Sequence, residues 1–443
     1  MPDNGNKTRP VRTLTVKNFS VIKDAKSTPL DFGRITVLIG PQASGKSILC
    51  KLAYFLRGEI PGIAVDSLLD RRPWEDFLGA VDRGFTERFL TSGWLRTNSE
   101  AGYASQRFAA KLHGKGDPVK PEIGYSFSEN FENLYKLIWN NPGKQLPSAS
   151  ASRSELRRDL FVEFSLLQDR KRTESSTYIP SGRALFTDAS KSILALQNPE
   201  IDQITKRFAG LIAWDSRWKA GYLTTGRDVI QEVESAMYRI AGGSVVVVGG
   251  RPFFLSSDGS NLPLSVQSSG TLELLPMFNV VDQLACSQED IYARTAAAEI
   301  SPIADISDHS PLIYLEEPEA HIFPKTQYEL VKLFAQLTND PILNFDWVIT
   351  THSPYILSAF NNLIEASQVV TAKPELRDEV AKLIPEQYWI KSSDFKAYCI
   401  HDGDLESIMD GETGLISANY LDSVSETIGV EFDELLRLGY VES

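Results

Sequence analysis

Gly40-Pro-Gln-Ala-Ser-Gly45-Lys46-Ser47 follows directly on Arg34-Ile-Thr-Val-Leu-Ile39 and runs into Ile48-Leu-Cys-Lys-Leu-Ala53. The stretch Gly40–Ser47 fits G-x-x-x-x-G-K-[ST] without a mismatch. Ile35–Ile39 is a solid apolar run, the pattern of a strand covered on both faces, and a helix is expected from about Lys46. In such a strand–loop–helix unit the backbone N–H groups point into one concavity. The helix N-terminus adds partial positive charge, so a phosphate meets fixed donors. Lys46 is expected to reach the β- and γ-phosphates of ATP and the Ser47 hydroxyl to ligate Mg²⁺. Gly40, Pro41, Gln42, Ala43, Ser44, Gly45 and Ile48 complete the cradle. The competing reading is a Gly-rich turn entering a helix, and the apolar strand before it argues against that.

Three further stretches bear chemistry. In Leu312–His321 (LIYLEEPEAH) a buried apolar strand ends in adjacent carboxylates. Glu316 is suited to hold the water shell of a metal and Glu317 to act on an attacking water as general base. A solvated acidic turn is the bland alternative, and Glu319 and His321 are open between a chemical and a packing role. In Val348–Pro354 (VITTHSP) the strand end places His352 where a neutral imidazole can sense a γ-phosphate. In Gln267–Thr271 (QSSGT), Ser268, Ser269 and Gly270 stand at a helix start. They form either a second phosphate-binding end or a plain cap. One triphosphate seldom needs two such ends in one chain, so this one is expected to serve ATP held by a second copy.

The chain has 443 residues, 42% of them apolar, and a net charge of −13. That length suggests two or three domains, and the charge does not suit a surface that coats nucleic acid. The basic run Arg153–Arg172 leaves a local DNA groove open beside the blander reading of a solvated helix face. No stretch approaches the roughly 20 apolar residues of a membrane span, and the polar start lacks a signal-peptide core. A cytoplasmic protein is expected. Cys50, Cys286 and Cys399 show no CxxC spacing and the five histidines no metal-ligand spacing.

Along the chain, 1–57 reads as the N-terminal lobe of an ATPase core, opening on the alternating strand Thr13–Phe19. Residues 58–239 read as a mainly helical insertion with loops at Gly114–Pro121 and Asn140–Ser150. Residues 240–400 return to the core, with strands at Val245–Val248, Leu312–Leu315 and, last, Trp347–Thr350, and a strand–loop–helix unit at Leu264–Phe278. Residues 401–443 are an acidic tail. In it, Val424, Ile428, Phe432, Leu435 and Leu436 have the spacing of an amphipathic helix.

In chain order, P-loop, Ser-Ser-Gly helix start, Glu-Glu strand and Thr-His-Ser-Pro strand end resemble the ABC-type ATPases, in particular the branch with RecF, the SMC proteins and the OLD-family ATPases. Glu316–Pro324 (EEPEAHIFP) is similar to the EEPEAHLHP of OLD-like chains, and Tyr178–Arg183 (YIPSGR) looks like a segment they carry. The resemblance implies an α/β ABC-type head with a helical insertion between P-loop and signature. It implies Lys46 and Ser47 on phosphate and Mg²⁺, Glu316 as metal-linked acid, Glu317 as base and His352 as switch. Ser268, Ser269 and Gly270 would contact the opposite protomer's ATP. The stretch departs from LSGGQ in lacking the Leu and second Gly. Gln106 and Gln168 are the candidates for the Mg²⁺-sensing glutamine.

Stand-alone chains of this kind resemble ATPase subunits of bacterial phage-defence systems such as PARIS and Septu. That implies a homodimer or higher homo-oligomer, and a separate nuclease or toxin as effector. The alternatives are a RecF-like clamp that binds DNA directly and a self-contained nuclease using Asp402 and Asp404. Asp402-Gly-Asp404 reads better as a hairpin turn. A transporter head lacks the insertion, and a small-molecule kinase needs neither Glu317 nor His352.

Overall fold

The apolar runs that precede the motifs become neighbouring strands. The computed structural model describes residues 12–23, 28–89, 95–116, 121–141, 153–166, 176–187, 197–198, 201–212, 229–249, 251–297, 311–417 and 430. Its strands are β1 (Thr13–Lys17), β2 (Leu30–Asp31), β3 (Ile35–Ile39), β4 (Glu100–Ala104), β5 (Ala109–Gly116), β6 (Pro121–Phe127) and β7 (Ser176–Ile179). They continue with β8 (Gly243–Val248), β9 (Arg251–Ser256), β10 (Asn261–Pro263), β11 (Leu312–Glu316), β12 (Asp346–Thr351), β13 (Phe395–His401) and β14 (Asp404–Ser407). Helix α1 (Lys46–Ala53) passes through a π-helical stretch, Tyr54–Glu59, into α2 (Ile60–Leu69). Then come α3 (Trp74–Phe89), α4 (Glu129–Asn140), α5 (Arg153–Leu166), α6 (Gln203–Leu211) and α7 (Val229–Ala241). The last are α8 (Ser269–Ala297), α9 (Pro324–Asn339), α10 (Pro354–Ala372) and α11 (Arg377–Leu383).

The central sheet has the order β14-β13-β3-β12-β11-β7. All neighbours from β13 to β7 run parallel, and β14 is antiparallel at one edge. Alternate side chains enter different cores. Ile35, Val37, Ile313, Leu315, Trp347 and Ile349 join one apolar cluster, while Leu38, Leu312, Tyr314 and Val348 join another. This is why the runs carry no polar alternation: both faces are covered. Each buried Val, Leu or Ile contributes roughly 1.5–3 kcal/mol, which fixes the strand ends from which the motifs project. The fold is α/β, with a mixed six-stranded sheet covered on both faces and the Gly40–Ser47 loop joining β3 to α1.

A second sheet, β2-β1-β4-β5-β6, is antiparallel. Phe77, Phe131 and Tyr135 are buried in the aromatic cluster of this lobe. A third sheet, β10-β9-β8, precedes α8.

Several expectations need correction. The segment 58–239, expected as a mainly helical insertion, is not made of helices alone. It contributes β4, β5 and β6, and β4 pairs with β1 from Thr13↔Ala104 to Lys17↔Glu100. No boundary falls at 57/58 either, since that point lies inside the π-helical stretch leading into α2. Gly114–Pro121 is mostly strand, because Gly114 and Gly116 continue β5 in register with Ile123 and Pro121 of β6. Leu264–Val266 is a 3-10 turn, with the strand ending before it at Pro263. Trp347–Thr350 is not the last core strand: β13 pairs with β3 from Phe395↔Ile35 to Cys399↔Ile39. A cut at 400/401 would therefore divide β13. Residues 142–150 of the expected Asn140–Ser150 loop, Gln168 and the expected tail helix at Val424–Leu436, apart from Val430, lie outside the described residues.

Candidate functional site

The parallel strands carry their motifs at one edge, the carboxyl ends where an open α/β sheet binds ligands. β3 ends at Ile39 and the loop returns to α1 through Gly45, whose φ of 106° lies in the left-handed region. A Cβ there would stand 2.5 Å from Ile22 Cδ1, so only glycine fits. Lys46 is 4% exposed. Its Nζ donates to the carbonyls of Gly40 and Pro41, at 2.8 Å each, and stands 3.5 Å from His352 Nδ1. Burial pushes the Lys46 pKa down, and the nearby carboxylates, Glu317 foremost, oppose that. Ser44 Oγ is out of solvent with no hydrogen-bond partner. A hydroxyl left orphaned inside a loop of this shape fits a phosphate oxygen.

The carboxylates at the end of β11 face different surroundings. Glu316 is buried, and the Tyr178 hydroxyl donates to its Oε1 at 2.6 Å. The Ser181 N–H (3.0 Å) and Ser181 Oγ (3.4 Å) donate to its Oε2. Burial and the adjacent Glu316 push the Tyr178 phenol well up, so it stays a donor. Glu317 instead opens to solvent, its side chain 37% exposed. Its Oε1 lies 3.2 Å from His352 Nε2. The imidazole thus stands between an ammonium, which can only donate, and a carboxylate, which can only accept. That arrangement suits the tautomer with Nε2–H toward Glu317 and the Nδ1 lone pair toward Lys46. Lys46, His352 and Glu317 form one line across three adjacent strand ends.

Glu319 supports that line from behind. Its Oε1 accepts from Thr351 Oγ1 (2.8 Å) and from the His352 N–H (2.6 Å), while its Oε2 is buried without a partner. Burial pushes its carboxyl pKa up. His321 is exposed in the turn after β11, with φ 60°, and its carbonyl rather than its ring does the packing.

Ser268 caps α8, its Oγ accepting from the Thr271 N–H at 3.2 Å. Both readings of this stretch thus keep their footing: the cap is present, and Ser268 and Ser269 are exposed. Gly270 is buried, and a Cβ on it would meet the His321 carbonyl at 2.6 Å. The helix start therefore sits on the turn following β11. Strands are about 4.8 Å apart and β12 lies between β3 and β11. The α8 start thus belongs with the β11 end, two strands along from the β3 strand that leads into the P-loop.

Arg183, which the sequence reading placed only in a family-like segment, is fully buried at the centre of the site. Its guanidinium reaches main-chain carbonyls of Glu273, Pro180, Glu316 and Glu317. The signal that could have found it is an arginine behind the turn Pro180-Ser-Gly182 that follows β7. Gln106 does not suit the Mg²⁺-sensing role: it follows the Ala104 end of β4, whereas the P-loop touches Ile22 at the other end of that pairing. Arg153 and Arg157 pair with Asp70 and Asp66 on an exposed face.

Over residues 35–358 the sequence matches the family described as "AAA domain, putative AbiEii toxin, Type IV TA system". The chain belongs to this AAA domain family. The matched span begins with β3 and ends just past His352, so it takes in every motif residue named above. No curated protein matches the chain. Among solved structures, the AAA domain chain is similar to an SMC head bound to the C-winged helix domain of ScpA. That likeness has 11% identity and a TM-score of 0.42, over 90% of this chain and 96% of that one. The SMC head domain from Thermotoga maritima gives 10% identity and 0.37, over 90% and 98%. An ATP-binding cassette of an ABC transporter, in its ADP conformation, gives 10% and 0.31, over 96% and 99%. The described helices include none long and apolar enough to cross a membrane.

Proposed function

We propose that this AAA domain chain hydrolyses ATP between two copies of itself and so controls a separate effector. The observation that carries the reading is the line Lys46–His352–Glu317 at one sheet edge, beside which the exposed serines at the start of α8 stand on the turn after β11. Gly40–Ile48 holds the triphosphate. Lys46 exchanges its bonds to the Gly40 and Pro41 carbonyls for phosphate oxygens. Ser47, in the first turn of α1, and Glu316, held by Tyr178 and Ser181, are the residues that fit Mg²⁺. When bound, Mg²⁺ neutralises charge on the transferring phosphoryl. Glu317 orients the attacking water and takes its proton, and His352 holds the carboxylate in place. The second copy closes the site with its exposed Ser268 and Ser269 and the helix start at Gly270.

A homodimer around ATP is the minimal assembly, and higher homo-oligomers remain compatible with it. The effector is proposed as a separate nuclease or toxin in bacterial anti-phage defence. The family's description, which mentions a toxin, supports this. So does the turn at Asp402 and Gly403, whose φ values of 51° and 85° suit a tight hairpin and give Asp402 a turn role in place of metal binding. The paired Arg153 and Arg157 weigh against a DNA groove there.

The test uses Glu317→Gln in the full chain. Nucleotide binding is retained, turnover falls by about 10²-fold or more, and Mg·ATP converts monomer to dimer in light scattering. Normal turnover by Glu317→Gln would remove Glu317 as the base. For the effector, native capture from the host followed by nuclease and toxin assays should recover an activity that the purified chain lacks.

A further inference from the structure

We propose that Arg183 is a positioning residue that couples the start of α8 to the backbone of Glu317, so that contact at Ser268–Gly270 sets the catalytic carboxylate. The inference deepens the ATPase reading above and rests on it.

The geometry is a fan of donors from a side chain with no exposure. Nε donates to the Glu273 carbonyl at 2.9 Å and lies 3.6 Å from Glu273 Oε2. Nη1 donates to the carbonyls of Pro180 (3.1 Å) and Glu316 (2.8 Å), and Nη2 to that of Glu317 (3.1 Å). Glu273 is one turn into α8, and Gly270 before it rests on the His321 carbonyl. The guanidinium therefore touches the signature helix on one side and both residues of the carboxylate pair on the other.

What it holds at Glu317 is strained. Glu317 has φ 42°, a left-handed conformation that costs a non-glycine residue about 1–2 kcal/mol. It persists because both ends of the residue are fixed. The Glu317 N–H donates to the Thr350 carbonyl at 2.9 Å, and the Glu317 carbonyl accepts from Arg183. A guanidinium is planar and its donors are fixed relative to one another. If the start of α8 moves, the Arg183 plane must follow or lose a bond, and the carbonyls of Glu316 and Glu317 feel either outcome. Lysine carries the same charge on a flexible stem but presents its donors from a single nitrogen, so it cannot span these acceptors.

The experiment is a double-mutant cycle in the full chain, with Arg183→Lys and Ser269→Ala, reading kcat at saturating Mg·ATP and affinity for a fluorescent ATP analogue. Arg183→Lys is expected to lower kcat by about 10- to 100-fold, the scale of an ångström misplacement, with affinity unchanged within about twofold. Because both residues act through one linkage, the double variant should be no slower than the slower single variant within about twofold. Multiplying effects, or a lower melting temperature with kcat intact, would overturn the coupling. Should Arg183→Lys fail to fold, Glu273→Gln removes only the carboxylate beside Nε and completes the same cycle with the same criteria. The two levels fail differently. A wild-type chain that neither binds nor hydrolyses ATP overturns the ATPase reading. An active wild type with an inactive Glu317→Gln but multiplying Arg183 and Ser269 effects overturns only the coupling.

Discussion

Glu319 shows how a single carboxyl can serve the catalytic edge while weakening the fold. Its Oε1 aligns Thr351 and His352, but its Oε2 is buried without a partner and burial raises its pKa. A carboxyl whose folded pKa is raised costs stability when ionised, so the penalty is present at neutral pH and fades as pH falls through the folded value. Glu319→Gln keeps one acceptor oxygen and discards the charge. Its melting temperature at pH 7.5 is expected to equal or exceed that of the wild type, with the gap closing on acidification. Glu319→Leu leaves the Thr351 O–H and the His352 N–H without an acceptor and should lose about 1–3 kcal/mol in denaturant titration. Lys46, Glu317 and His352 could be picked out in sequence because each follows an apolar run, and the ends of β3, β11 and β12 bring the three side chains together. Arg183 was not, since it acts through bonds to backbone carbonyls, which leave no partner residue type to look for.

Among elements, the start of α8 and the turn after β11 are joined by one close approach. A Cβ on Gly270 would stand 2.6 Å from the His321 carbonyl, which is backbone and cannot swing aside. Gly270→Ala is therefore expected to cost about 1–3 kcal/mol and to depress kcat more than nucleotide affinity. Thermal unfolding and ATPase assays on the same preparation check both. The strands of the N-terminal lobe were hard to read for a related reason. β5 ends in Gly114-Lys-Gly116 and β6 opens at Pro121, residues that signal turns unless a partner strand supplies the hydrogen bonds. β13 was read only as one arm of a hairpin. Its place beside β3 is set by pairing across more than 350 residues of chain, which no local pattern encodes.

At the scale of the whole molecule, three exposed apolar side chains stand beside the motifs. Val266 (65% exposed) precedes the Ser268 cap, Phe323 (74%) follows the turn that supports Gly270, and Tyr355 (56%) follows His352. They belong to one surface. Gln327 donates to the Ile322 carbonyl at 3.1 Å, and Ser353, bonded to Gln327, caps the turn of Tyr355. A second copy closing over ATP would cover them. Placing a charge there, as in Phe323→Glu combined with Val266→Glu, is expected to weaken the ATP-dependent dimer of the Glu317→Gln background by about tenfold or more. Binding of the ATP analogue to the monomer should be unchanged. Sedimentation across a concentration series separates the two. A dimer of unchanged strength would place the interface elsewhere.

The sequence by itself determined the P-loop, the paired acids, the strand-end histidine and the α/β class, because phosphate chemistry and two-sided burial each leave a local pattern. Only the tertiary structure decided which strands share a sheet, that the segment after Arg57 completes the first lobe, and that Arg183 binds the signature helix to the acids. Those facts depend on which distant segments exclude water from one another and which buried polar groups find partners. That is settled by the packing of the whole chain.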